Sequence, residues 1–192
     1  MAQKFTQQEI DKHNRLTQEA WKILNEYILL HNKPEKKIGF WAKRKLNKAI
    51  GLFQKALEIA PNKYSSKWGI GKIFQTLEQH QESLTWFEAA YALKKDNPDV
   101  CREASLAALD SQDYEKALKY SLLAIKLSPN NAGLHCNQAL IYMFLKRDKE
   151  AVASLELALR LEADDEITIY VGNILKGVIA GKKNRPKTMN EL

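Results

Sequence analysis

YEKALKYSLLAIKLSP, residues 114–129, decides how the rest of the chain is read. Ala117 and Ala124 lie seven residues apart, two turns of a helix, with Ile125 beside the second and Pro129 closing the apolar run. The same marks recur 34 residues away in both directions. Ala56, Ala90, Ala124 and Ala158 form one series; Ala49, Ser83, Ala117 and Ala151 form a second; Leu57, Tyr91, Ile125 and Leu159 form a third. Pro61 and Pro129 are separated by 68, twice the step. Three registers in phase over four copies are an internal repeat. Small residues recur because two helices of a hairpin approach closely only where a short side chain lets their backbones meet.

Composition agrees with helical structure. Hydrophobic residues make up 45% of the 192, enough for a core, while 8 Gly and 5 Pro leave little material for a turn-rich β fold. The net charge of +7 is uneven: residues 1–60 carry +6, residues 61–165 carry −2 and residues 166–192 carry +3. The basic excess therefore sits outside the repeats. No apolar run approaches the length of a membrane-spanning helix, and the first residues lack the apolar core of a signal peptide. Cys101 and Cys136 make no disulfide framework, so the expected location is the reducing cytoplasm.

Taken in order, Thr6 and Glu9 read as a capping box opening a long helix over about 7–31. Pro34 and the polar stretch 32–37 break it, and a second helix spans about 38–60. These form an N-terminal pair, residues 1–63, as a divergent first repeat. Three helix–turn–helix units follow at 64–97, 98–131 and 132–165, with turns near 78–81, 111–114 and 146–149. Residues 166–180 are an apolar helix with no partner after it, the expected cap of a stack of repeats. Residues 181–192 read as a frayed, disordered basic tail.

With this period the chain resembles the tetratricopeptide repeat family. The residues that carry the likeness are Gly71, Phe74, Phe87 and Ala90 in the first unit, then Ala117, Ala124 and Pro129. In the third unit they are Ala139, Tyr142, Ala151, Leu155 and Ala158. Ser105 and Ala108 depart from the family's preference for Gly and a large aromatic, and Lys95 replaces a proline. The resemblance implies an all-α, right-handed superhelix whose first helices line a concave groove, with a long N-terminal helix and a capping helix. It implies a groove lined by Trp68, Lys72, Gln75, Arg102, Glu103, Leu106, Asn137, Leu140 and Tyr170. Trp68 and Arg102 are the expected energetic centre. Leu106, Leu109, Leu140, Met143 and Phe144 make the far end apolar, either core beneath the cap or a seat for an apolar segment. The carboxylate clamp used by related domains to hold acidic chaperone tails does not fit. Its positions here hold Trp68, Lys72, Glu103, Gly133 and Asn137, and Glu103 would repel such a tail.

No catalytic motif or phosphate loop stands in the sequence, so the expectation is a non-enzyme without cofactor. Cys101, His135 and Cys136 fall close in the repeat register but match no zinc spacing, and no metal is expected. A basic run holds Lys36, Lys37, Lys43, Arg44, Lys45 and Lys48 around Phe40 and Trp41. Its expected state is a solvated helix face with Phe40 and Trp41 in the core. Its alternatives are an acidic protein partner or, ranked lower, nucleic acid.

These observations point to a protein-binding scaffold, an adaptor or chaperone holding a peptide or helix of its partner in the groove. Two alternatives stand beside it. One is a nucleic-acid-associated protein using the basic N-terminal region. The other, implied by the resemblance, is a dedicated chaperone or neutralising partner of a secreted effector or toxin. The first helix and the cap each offer a face for a second copy, so a homodimer is a further expectation.

Overall fold

A computed structural model describes residues 5–28 and 38–192. The described residues form nine α-helices, one short 3-10 turn and no strands. They divide into two compact units, up to Lys94 and from Lys95 onward.

The first unit holds α1 (Gln7–Ile28), α2 (Phe40–Ile59), α3 (Tyr64–Thr76) and α4 (His80–Leu93). The capping box is present: Glu9 accepts from the Thr6 backbone at 2.8 Å, and Thr6 Oγ1 accepts from the Glu9 backbone at 3.3 Å. The Thr6 backbone N–H, and then its hydroxyl, donate to the Glu9 carboxyl and hold it below its ordinary value. The break expected at Pro34 lies outside the described residues. The helix α1 packs on both α2 and α3, and so takes the place of a first repeat helix. Ala20, Leu24, Leu46, Ala49, Ile50, Phe53, Ile70 and Ile73 make their shared core. Gly69 is needed there, because a Cβ would meet the Phe53 ring at 2.6 Å.

The second unit holds α5 (Pro98–Asp110), α6 (Tyr114–Leu127), α7 (Ala132–Phe144), α8 (Asp148–Leu161) and α9 (Glu166–Ile179), then the 3-10 turn Met189–Glu191. Its hairpins are α5–α6 and α7–α8, with α6 on α7 and α9 on both α7 and α8. Ala56, Ala90, Ala124 and Ala158, the series that defines the period, are all fully buried. The small residues also carry hydrogen bonds across the hairpins. Ser83 Oγ donates to the Gly71 carbonyl at 3.1 Å, and one repeat later Ser105 Oγ donates to the Ala117 carbonyl at 2.8 Å. Serine changes helix between repeats while the tie is kept.

Two further series with the same step were not picked out from the sequence. Glu78, Gln112 and Lys146 sit at φ of 58°, 61° and 60° at the turns within the hairpins. Each ends its helix in a Schellman motif: the next backbone N–H returns to Phe74, Ala108 and Tyr142, each at 2.9 Å. Asn97, Asn131 and Asp165 cap α5, α7 and α9 through side-chain oxygens.

The last residues differ from the frayed tail expected. Gly181, at φ 67°, turns the chain back after α9, with the Lys182 N–H returning to the Gly177 carbonyl at 2.9 Å. Pro186 is buried, and Met189 and Leu192 pack against the core of the second unit. Polar composition concealed this, because the anchors are a single arginine and isolated apolar residues rather than a periodic stripe.

Candidate functional site

The predicted groove residues fall in both units, and each set is coherent by itself. In the first unit Trp68, Lys72 and Gln75 come together on α3. The Lys72 ammonium donates to Gln75 Oε1 at 2.6 Å and lies 5.9 Å from the centre of the Trp68 ring. The Trp21 ring of α1 lies 5.6 Å from that of Trp68, so Trp68 is half covered by its own chain. Its indole N–H is buried without a hydrogen-bond partner among the described residues.

In the second unit Arg102 and Leu106 on α5 and Asn137 on α7 are half buried. The Arg102 guanidinium bonds Asp99 and Glu103, each at 3.2 Å. Glu103 is only 4% exposed, so a buried carboxylate is matched by its neighbour's cation. Arg102 is therefore partly committed within the chain, and the α5 surface carries more carboxylate than guanidinium.

The apolar end is closed. Leu140 is 5% exposed, and Leu109, Met143 and Phe144 are likewise buried, so Leu140 does not line an open wall. Leu140 and Met143 share a core with Cys136, Ala139, Val171, Ile174 and Leu175, onto which Met189 and Leu192 pack. Phe144 is stacked by Tyr114 at 5.2 Å. Tyr170 is 54% exposed, and its hydroxyl bonds the Leu192 carbonyl. Sequence reasoning missed Asp148 and Arg185, which pair here at 2.8 and 2.9 Å. They lie 37 residues apart, outside any local pattern.

The residues weighed as metal ligands have other partners. Cys101 Sγ approaches the Lys95 carbonyl at 4.0 Å and His135 Nε2 bonds the Pro129 carbonyl at 2.7 Å, each reaching six residues back to the preceding turn. Burial pushes the Cys101 and Cys136 thiols above their ordinary range.

The basic region differs from expectation in its aromatics. Phe40 and Trp41 are 72% and 70% exposed, packed edge to face at 5.4 Å, with the Arg44 guanidinium 5.9 Å from the Trp41 ring. They cannot join the core because the buried stripe of α2 runs through Leu46, Ala49, Ile50, Phe53 and Ala56. Positions five and six residues before Leu46 fall on another side of a 3.6-residue helix. Lys43, Arg44, Lys45 and Lys48 are exposed. Lys45 pairs with Glu26 at 3.2 Å and Lys48 with Glu19 at 2.6 Å, so α1 answers part of the charge. Lys36 and Lys37 lie outside the described residues.

Comparison with known proteins follows the same lines. A family model described as tetratricopeptide repeat matches residues 101–131 and 132–165. Over 78 residues, 41% of this chain, it is 35% identical to mouse (Mus musculus) Protein O-mannosyl-transferase TMTC3; over 87 residues it is 31% identical to the human (Homo sapiens) protein. The chain spans 8% and 10% of the length of those relatives, whose transferase name is theirs. Among solved structures, MamA aligns with a TM-score of 0.66 at 15% identity, covering 74% of this chain and 83% of that one. YrrB, a tetratricopeptide repeat protein with an unusual peptide-binding site, aligns at 0.63 with 17% identity, covering 86% and 80%. A thermophilic tetratricopeptide repeat protein from Thermus thermophilus aligns at 0.62 with 21% identity, covering 85% and 84%. At these identities the likeness is one of fold. With two units matched directly and the same hairpin before them at the same step, residues 101–165 are two tetratricopeptide repeats in a chain that has the fold of tetratricopeptide repeat proteins.

Proposed function

We propose that the chain is a non-catalytic protein–protein interaction scaffold that holds an extended or helical segment of a partner against α5, α7 and α9 of its second unit. The tetratricopeptide fold supports interaction scaffolding in general. One observation supports this face: Arg102, Leu106 and Asn137 stay half exposed on packed repeat helices whose other positions are largely buried. The mixture of a guanidinium, an amide and a leucine suits a segment offering both backbone groups and apolar side chains.

Peptides selected from a random displayed library on the purified chain test this. Selected sequences are expected to lose at least tenfold in affinity for Arg102→Ala combined with Asn137→Ala. Peptides that bind the double variant as well as the unaltered chain overturn the assignment. A parallel Trp68→Ala variant reports whether the α3 set takes part.

A second reading rests on Phe40 and Trp41, an exposed aromatic pair beside exposed Lys43 and Arg44. It assigns this end of α2 to an acidic protein partner, with nucleic acid ranked lower. Binding of poly-glutamate and of a generic RNA across a salt series separates them.

A further inference from the structure

The segment after α9 is gripped at chemically different points, all within the second unit. Arg185 makes a two-pronged ion pair with Asp148 at 2.8 and 2.9 Å, and also donates to the Met143 carbonyl at 2.7 Å. That carbonyl is at the end of α7, where a cation is favoured. The Tyr114 hydroxyl donates to the Lys187 carbonyl at 2.6 Å, and the Tyr170 hydroxyl to the Leu192 carbonyl. Pro186 is buried, and Met189 and Leu192 rest on the core that contains Leu140 and Met143.

This grip differs from ordinary packing in two ways. The tyrosines address backbone carbonyls, which every extended chain carries, so they read a chain rather than a sequence. The grip is also light. Arg185 and Asp148 remain 23% and 36% exposed, Lys182, Lys183, Asn184, Lys187, Asn190 and Glu191 face water, and regular structure is limited to one 3-10 turn. A segment held this way can be exchanged for another that offers the same anchors and more surface.

We propose that residues 184–192 are a built-in occupant of a peptide-binding surface made by α7, α9 and the starts of α6 and α8. The partner segment that displaces them carries an arginine, then apolar side chains four and seven residues further on, the spacing of Arg185, Met189 and Leu192. This rests on the scaffold reading above and names its ligand chemistry. Charge supports a cationic guest, because Asp148 takes the guanidinium.

The test uses the full chain and a fluorescein-labelled peptide with the sequence of residues 183–192. Arg185→Glu with Leu192→Asp frees the resident segment without altering a repeat helix, and circular dichroism checks the fold. The peptide is expected to bind this released variant at least tenfold tighter than the unaltered chain. Adding Asp148→Lys should take that tenfold away. If the double variant melts early, Arg185→Gln alone, which removes the ion pair and the guanidinium's bond to the Met143 carbonyl, should show a gain of about threefold, roughly 0.65 kcal/mol at 25 °C. Equal affinity for unaltered and released chains, or binding indifferent to Asp148, overturns the proposal. So does a concentration-dependent dimer of the unaltered chain that Arg185→Glu abolishes, since the segment then serves a second copy. Library-selected peptides keep the two readings apart. If they still bind through Arg102 and Asn137 while the 183–192 peptide does not, this inference alone falls.

Discussion

Glu78, Gln112 and Lys146 each hold a left-handed backbone in the middle of a hairpin. A side chain there is strained, and glycine relieves the strain without disturbing the two hydrogen bonds of the Schellman motif. Gln112→Gly is therefore expected to raise the stability of the second unit by about 1 kcal/mol, read as a higher denaturant midpoint at an unchanged slope. A fall in the midpoint would show that the Gln112 side chain contributes more than its backbone costs. Where glycine already stands at such a position, at Gly181, it turns the chain back on itself and so lays residues 184–192 over the repeat core. The conformational freedom of one residue thus decides whether an apolar face is covered.

At the scale of single helices the caps set the pattern. Asn97, Asn131 and Asp165 follow the 34-residue step, and the same register places Lys63 before α3, where no side chain caps the helix. Lys63→Asn should supply the missing acceptor and stabilise the first unit by about 1 kcal/mol, measured by thermal melting. The cap of α9 is sensitive to acid. The Thr168 side chain, and then its backbone N–H, bond the Asp165 carboxylate and hold its pKa below the ordinary aspartate value. A group depressed in the folded state stabilises fully above its unfolded pKa and loses that contribution as pH falls through its folded pKa. The melting temperature should therefore drop as pH goes below about 4, and Asp165→Asn should flatten that part of the profile. An identical acid limb in the variant would assign the loss to other carboxylates. Among the helices, α2 shows how position within an element overrides composition. Its basic residues and its two exposed aromatics share the outside because the stripe from Leu46 to Ala56 takes the inside.

At the scale of the molecule, both cysteines lie in the core of the second unit, and burial holds their thiols above the ordinary range. At pH 8 both should resist maleimide, and their labelling across a urea series should follow the unfolding of that unit. Rapid labelling of the folded chain would mean that the unit opens locally around α5 or α7. From sequence alone, the 34-residue period determined the helices, their order, the hairpin turns and the buried alanine series. Those features depend on neighbours within one or two helical turns, and each repeat states them again. Arg102, Leu106 and Asn137 hold different places in that register, and their equivalents one step away, Cys136, Leu140 and Glu103, are buried. Only the tertiary structure decided which of those positions stay open. It buried Leu140, paired Lys45 and Lys48 with α1, exposed Phe40 and Trp41, and placed Arg185 on Asp148. These outcomes join residues far apart in the chain, and a contact that occurs once leaves no periodic trace in the sequence.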